Sequence, residues 1–327
     1  MVLPGLSTSV ASRLVGRTLE GERPITVDQT NESIIVAEQF VVKWMQPPVP
    51  SPHPGAEVLM YLSQHGFTDM PAFIGVHEVD DMVVAIVTEY VPDSLDGWDW
   101  YVDDVDAWLR GELQIDALVA AGRLMGQMTS DLHSALAGVQ RSSIATRTYH
   151  AHAVANLHEA MRTVSGEEGD RLRSCESAVY EALEPLRGER MLQAHRVHGD
   201  LHAGQFIRSR SRLLMIDFDG NPLSDPTERR LPQSPLRDLA SMLQSIDHVG
   251  RIVVKRRHPD RGVDVDLFTR SAIDAALGAY TASHAVDHDV LRALRVAQEL
   301  HEYCYAAAHL PHWVYVPDAA LPPLLEG

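Results

Sequence analysis

His198-Gly199-Asp200-Leu201-His202-Ala203-Gly204-Gln205, followed by Met215-Ile216-Asp217-Phe218-Asp219-Gly220, is the stretch of this 327-residue chain richest in chemistry-bearing side chains. Between the two stretches, Phe206 to Ile216 reads as a short β-hairpin with alternating apolar residues. A hairpin brings its ends together, so Asp200, Gln205 and Asp217 are expected to converge. Three oxygen-bearing side chains suit a hard divalent ion such as Mg²⁺, which keeps waters and takes few protein ligands. A zinc reading through His195, His198 and His202 is weaker: the spacings match no common zinc signature, and no cysteine lies nearby. With 17 histidines in the chain, three close together need no special cause.

Asp200 and Gln205 stand five positions apart. That is the spacing of D-x-x-x-x-N in a kinase catalytic loop, where the Asp orients the attacking hydroxyl and the amide oxygen holds metal. Asp217-Phe218 then sits where a kinase places its metal-binding Asp-Phe pair. Alone, a His-x-Asp is more often a loop hydrogen-bond network, and an Asp-Phe pair says almost nothing. Their order, with one hairpin between them, carries the reading. Such a site also needs a cation on the phosphates, fixed by a carboxylate. Val41-Val42-Lys43-Trp44 supplies a strand lysine amid apolar neighbours, and Glu57 follows 14 residues later at the start of the next helix.

Outward from these residues the chain divides by period. The first ninety residues read mostly as strands: Arg13 to Leu19, Ile25 to Val27, Ser33 to Ala37, Gln39 to Trp44 and the apolar run Met82 to Tyr90. Asp28 to Glu32 is a polar turn. Five prolines in Pro47 to Pro54 make that segment an extended connection, and Gly55 to His65 is helical. From about residue 95 the period is helical: Leu113 to Ala137, His150 to Leu186 with a break near Gly166, a helix capped by Ser234-Pro235, Val265 to Ser283, and Asp289 to Ala308. The expected fold is therefore α+β: a small, mainly β amino-terminal lobe over residues 1–92 and a larger, mainly α lobe over 93–327.

Composition narrows the function classes. With 28 basic and 45 acidic residues the net charge is −17, which argues against a nucleic-acid-binding surface. At 45% hydrophobic and 22% charged, the chain is an ordinary globular one. No apolar run approaches the roughly 18 residues that span a bilayer. Its two cysteines, Cys175 and Cys304, build no disulfide framework, and the amino terminus has no signal-peptide pattern. A cytoplasmic protein is expected, without membrane partners.

At this point the sequence resembles the maltokinase and actinobacterial glucosamine kinase group, within the aminoglycoside-phosphotransferase-like superfamily of protein-kinase-like enzymes. The resemblance runs from about Phe40 to Pro317. It rests on Val42-Lys43-Trp44, Glu57 to Phe67, Val91-Pro92-Asp93-Ser94-Leu95-Asp96-Gly97-Trp98, Asp131 to Ala137, Val197 to Gln205, Asp217 to Pro222, Glu228-Arg229-Arg230, Ser234 to Leu243, and the ending with Glu302, Tyr305, Pro311 and Trp313. It implies a bilobal kinase-like fold, with ATP between the lobes and a sugar-like acceptor on the helical lobe. By the same resemblance Asp200 is the catalytic base, and Gln205 and Asp217 bind Mg²⁺. Lys43 contacts the α/β-phosphates and Glu57 holds Lys43. Glu89-Tyr90-Val91 is the hinge that reads adenine through backbone groups. Asp219 and Asn221, directly after the metal loop, are expected to line a compact acidic acceptor pocket with Arg237, Glu302 and Trp313.

Three departures bear on the acceptor. Maltokinases typically read Asp-Phe-Glu-Gly-Glu-Pro where this chain has Asp217-Phe218-Asp219-Gly220-Asn221-Pro222. Ala306 replaces an acidic residue and His312 an aspartate. Only 42 residues precede Lys43, where full-length relatives carry a longer cap subdomain. Together these turn the expectation from maltose to a monosaccharide, amino sugar or sugar-like cyclitol. No G-x-G-x-x-G precedes Lys43; Asp28-Gln29-Thr30-Asn31-Glu32-Ser33 stands in its place, with hydroxyls suited to phosphates and carboxylates opposed to them. The rival readings are an aminoglycoside antibiotic phosphotransferase, whose polycationic acceptor the charge of −17 suits, and a catalytically silent kinase-like binding module. A monomer or homodimer is expected.

Overall fold

In the computed structural model, residues 3–25, 32–221, 225 and 227–326 are described. In chain order the elements are α1 (Leu6–Val15), β1 (Glu22–Pro24), β2 (Glu32–Val36), β3 (Phe40–Pro50), α2 (Pro54–Gln64), β4 (Phe73–Val79), β5 (Met82–Glu89), α3 (Gly97–Leu109), α4 (Ile115–Leu136), β6 (Ser142–Ala145), α5 (Thr146–Thr163), α6 (Gly166–Ser174), α7 (Glu176–Leu183), β7 (Met191–Ala194), β8 (Phe206–Arg208), β9 (Leu213–Met215), α8 (Pro235–Arg256), α9 (Gly262–Thr281), α10 (His288–His309) and α11 (Tyr315–Leu325). The fold is α+β, as the sequence implies. No helix among the described residues is long and apolar enough to cross a membrane.

The chain forms two compact units, Met1–Asp96 with Gln205–Arg230, and Gly97–Gly204 with Leu231–Gly327. A single boundary at residue 92 does not describe this division, because the β8–β9 hairpin groups with the amino-terminal residues. The reason is local: Leu95 and Arg208 exchange backbone hydrogen bonds at 3.0 and 2.8 Å, and the Met215 N–H donates to the Asp69 carbonyl at 2.7 Å.

The first unit is an antiparallel sheet in the order β1-β2-β3-β5-β4. Alternation along β3 turns Val42 and Trp44 to one face and Lys43 to the other. On the Val42 face they pack with Val10, Ala11, Ile34, Val36, Ala85 and Val87. Burying each of the valine and isoleucine side chains stabilises the unit by about 1.5–3 kcal/mol. That packing makes α1 a helix where the sequence suggested a strand from Arg13 to Leu19. Ser7, Val10, Ala11 and Leu14 recur at helical spacing on the sheet, Gly16 ends the helix at φ 70°, and the Trp44 indole donates to Ser7 at 3.0 Å. The prolines expected as a connection continue β3 to Pro50. They fall where pairing jumps from Trp44–Ala85 to Val49–Val83, because proline cannot donate to a ladder. Strand β4 had no distinct sequence signal. Most of Ile25 to Val27 and of the turn Asp28 to Glu32 lies outside the described residues.

In the second unit α8 is buried along nearly its whole length, from Leu236 to Val253. Its start is as the sequence implies: Pro235 takes the first position and the Ser234 hydroxyl accepts the Leu236 N–H at 3.4 Å. Helix α10 packs on α8 and α5, and is capped by the Asp287 carboxylate, which accepts the N–H groups of Asp289 and Val290 at 3.0 Å. The stretch from His150 to Leu186 breaks twice, at Gly166 and again at Cys175.

Candidate active site

In the first unit the β8–β9 hairpin sets the geometry. Phe206 and Met215 are opposite and fully buried, as Phe218 nearly is. The Ile216 N–H closes the hairpin on the Gln205 carbonyl at 2.9 Å, so Gln205 and Asp217 come together as expected. Asp217 is held at φ 62°, a left-handed conformation that costs a non-glycine residue energy and that clusters at functional sites.

Lys43 reaches this loop from the sheet face opposite to α1. Its ammonium donates to Asp217 Oδ1 at 2.8 Å and to Asp219 Oδ2 at 2.7 Å. Burial alone would lower the Lys43 pKa, but the carboxylates of Asp219 and Asp217 outweigh it and hold the ammonium above the usual lysine value. Glu57, the carboxylate expected on Lys43, instead pairs with Arg230 at 3.1 Å. Asp219, expected on the acceptor side, takes that place. It fits there because position 55 is glycine: a Cβ on Gly55 would lie 2.1 Å from Asp219 Oδ1. His53 caps α2 by accepting the Gly55 and Ala56 N–H groups on Nδ1 at 3.2 and 3.4 Å. Burial, with Lys43 and Arg229 nearby, depresses its pKa below the ordinary histidine value despite Asp219, so the ring is neutral at pH 7. Gly55→Ala is expected to push Asp219 off Lys43 and destabilise the protein by about 1–3 kcal/mol, the usual cost of overpacking. Urea denaturation of the variant checks this.

Glu89, Tyr90 and Val91, expected as the hinge, are also built in. Glu89 accepts from Arg212 at 2.6 Å and from the Ala72 N–H at 3.0 Å. Burial works against ionisation there, yet those two hydrogen bonds keep the carboxyl below the usual glutamate value. The Tyr90 N–H donates to Gln39, and the Val91 carbonyl accepts from Ser94 at 2.9 Å. Asn221 is half-buried at the end of the loop, and residues 222–224 and 226 are outside the described ones.

In the second unit the Asp200 loop lies along α8 and is tied to it twice. The buried Asp238 carboxylate accepts the backbone N–H groups of His198 and Gly199 at 2.8 and 3.0 Å. Seven positions on, two turns along the same helix face, Ser245 Oγ accepts the Ala203 N–H at 2.8 Å. His133 backs the first tie: Nε2 donates to Asp238 at 3.3 Å while Nδ1 accepts from the Tyr280 hydroxyl at 2.9 Å. Burial would raise the Asp238 pKa, but the His133 hydrogen bond, His133 and His198 nearby and the Gly199 N–H together lower it. Asp200 itself is half-exposed, with its N–H on His198 Nδ1 at 3.4 Å and His202 Nε2 at 4.0 Å from its carboxylate.

Around Asp200 lie ionisable groups. His301 on α10 is neutral because burial lowers its pKa; Glu302, Arg237 and Asp200 are its electrostatic neighbours. Burial raises the Glu302 carboxyl above the usual glutamate value, and Gln298 donates to it at 2.8 Å. Behind them a fully buried His248–Glu299 pair at 2.8 Å holds the His248 pKa up at about 9, against the effect of burial. Trp313 is half-buried and meets Trp98 at 83°. The structure thus groups Lys43, Gln205, Asp217 and Asp219 in one unit, and Asp200, Arg237 and Glu302 in the other. Asp238, Ser245, His133 and His53 were not foreseen. The signal in the sequence was that Asp238 and His133 fall in the stretches Ser234 to Leu243 and Asp131 to Ala137 that carry the family resemblance. The three histidines of the zinc reading are engaged locally: Nδ1 of His195 bonds the Arg196 carbonyl at 2.6 Å, and Nδ1 of His198 and of His202 accept the Asp200 and Gly204 N–H groups at 3.4 and 3.1 Å. Asp217, Asp219 and Gln205 are the hard oxygen donors Mg²⁺ takes, and an ammonium already bridges the two carboxylates. The donor set fits the ion.

Residues 22–248 match the phosphotransferase enzyme family, APH. Glucosamine kinase from Streptacidiphilus jiangxiensis is 40% identical over 325 residues, covering 93% of this chain and 74% of that protein. Glucosamine kinase from Mycolicibacterium smegmatis is 38% identical over 329 residues, covering 95% and 81%. A solved structure of a glucosamine kinase in complex with glucosamine, ADP and inorganic phosphate superposes with a TM-score of 0.85 at 35% identity, covering 98% of this chain and 83% of that one.

Proposed function

This chain belongs to the phosphotransferase enzyme family, and from that premise we propose that it is an ATP-dependent amino sugar kinase with glucosamine as its acceptor. The observation that carries the proposal is the 40% identity, over 325 residues, to a glucosamine kinase. The residues fit the chemistry. Asp200 accepts the proton of the acceptor hydroxyl as its oxygen bonds to the γ-phosphorus; the bond from that phosphorus to the bridging oxygen breaks, and ADP leaves. Lys43, positioned by Asp219, binds the α/β-phosphates, and the backbone at Glu89 and Val91 receives the base. Gln205 and Asp217 would hold Mg²⁺, which when bound neutralises charge on the phosphates. In this reading the unit Met1–Asp96 with Gln205–Arg230 serves the nucleotide, and Gly97–Gly204 with Leu231–Gly327 carries the base and acceptor recognition. Asn221, Arg237, Glu302 and Trp313 serve the acceptor.

A coupled ADP-release screen over glucosamine, glucose, maltose, kanosamine, valienol-type cyclitols and aminoglycosides tests this. Glucosamine should give the highest kcat/KM. Turnover confined to aminoglycosides, or none on any acceptor, would replace the proposal with one of the rival readings. Glu302 adds a pH signature. It attracts an ammonium only when ionised, and burial raises its pKa. His248, His301, Glu299 and Gln298 are the groups that face it. The KM for glucosamine is therefore expected to fall as pH rises through the Glu302 pKa, while the KM for glucose stays flat. Parallel pH profiles for the two sugars would remove Glu302 from amine recognition.

A further inference from the structure

Beside α2 the first unit holds a cavity of about 300 Å³, the lower end of the range for small-molecule sites. Met60 of α2, Phe73 and Val76 of β4 and Val83 of β5 supply its apolar lining. Met60 is 47% exposed, so this lining opens to solvent. Lys43, Asp217, Asp219 and Glu89 are not among the lining residues. A ligand here therefore displaces none of the groups proposed for the nucleotide.

Two polar groups give the cavity its chemistry. His53 lines it, and its side chain is only 5% exposed. Nδ1 accepts the Gly55 and Ala56 N–H groups, so in the neutral ring the proton is on Nε2. With Nδ1 turned to the backbone of α2, the Nε2 edge is the one left to face the cavity. That N–H has no hydrogen-bond partner among the described residues. A buried donor left open costs free energy, which an acceptor on a ligand would recover. The second group is a carboxylate. Glu57, also in the lining, is already paired with Arg230. Glu78 accepts the Ser51 hydroxyl at 2.6 Å, and no cation pairs with it among the described residues. It is exposed and open to an ammonium.

We propose that this cavity is a second ligand site, and that it takes a small aromatic amine bearing one hydrogen-bond acceptor. The acceptor meets His53 Nε2, and the ammonium pairs with Glu78. Between them the flat ring lies among Met60, Phe73, Val76 and Val83, where thioether and aromatic neighbours favour a π-face. The inference stands apart from the amino sugar proposed as acceptor.

Tyramine, a phenol with an ethylammonium arm, is the probe, titrated calorimetrically into the full chain. Its Kd should be about 1 mM, the scale for so small a ligand. p-Cresol, which lacks the ammonium, and phenethylamine, which lacks the oxygen, should each bind about threefold more weakly or worse. Glu78→Gln should weaken tyramine by about the same factor and leave p-cresol unchanged. Met60→Trp should fill the cavity and abolish binding. Saturating MgATP or glucosamine should leave the tyramine Kd within about twofold. Equal binding of the three probes, competition with MgATP or glucosamine, or no binding up to about 10 mM would overturn the inference. If Met60→Trp does not fold, intermolecular NOEs on the wild type decide: contacts from the tyramine ring to the Val76 and Val83 methyls support the site, and their absence refutes it.

Discussion

Replacing Asp200 with asparagine is expected to lower kcat by about 10²–10⁴, the range a positioned general base contributes, while MgATP affinity stays within about twofold. The geometry separates the two effects. Asp200 is half-exposed, and its contact with His198 is made by its backbone N–H, so an isosteric amide leaves the loop in place. The asparagine cannot take the acceptor's proton. The set of Lys43, Asp217 and Asp219, proposed to serve the nucleotide, is untouched, since Lys43 bonds both carboxylates. Single-turnover kinetics with the calorimetric MgATP affinity checks both halves. Turnover near the wild-type rate would reject Asp200 as the base.

Asp238→Ala is expected to be the most destabilising of the substitutions considered, by about 3–5 kcal/mol. It removes one buried carboxylate that serves three donors: the N–H groups of His198 and Gly199, and His133. Each is left without its acceptor in a site closed to water. Activity should fall with it, because the loop that carries Asp200 loses one of its two ties to α8. The pH dependence has a definite sign. The folded-state pKa of Asp238 is depressed, so its contribution is fully present above the unfolded value of about 3.9 and is lost as pH falls through the folded one. Urea denaturation at a series of pH values should therefore show the gap between wild type and variant narrowing below about pH 4. A gap that is small at pH 7 would contradict the role given to this carboxylate.

The legible part of the molecule was the part governed by local rules. The Ser234-Pro235 cap, the apolar run from Met82 and the hairpin between Gln205 and Asp217 each depend on residues near in sequence, and the structure places them as expected. What sequence reading did not reach depends on partners far along the chain. Residues 13–19 are strand-like alone, but α1 forms because Val10 and Ala11 find Val42 and Trp44 across a sheet that closes later. The carboxylate on Lys43 is decided by space rather than by spacing. Gly55 leaves room for Asp219, 176 positions from Lys43, and Arg230 holds Glu57 elsewhere. Asp238 gave no local signal of its role, because an aspartate one turn into a helix normally answers to that helix's own N–H groups. Here it answers to a loop 40 residues away.

As an amino sugar kinase, this chain moves the γ-phosphoryl group of ATP onto a hydroxyl of its acceptor. Incubating the purified protein with Mg²⁺, glucosamine and ATP labelled at the γ-phosphorus, then separating the products, tests it most directly. A labelled amino sugar phosphate that grows with time is expected, one per ADP released. Label that stays in ATP, or leaves it only as inorganic phosphate while glucosamine is recovered unchanged, would contradict it.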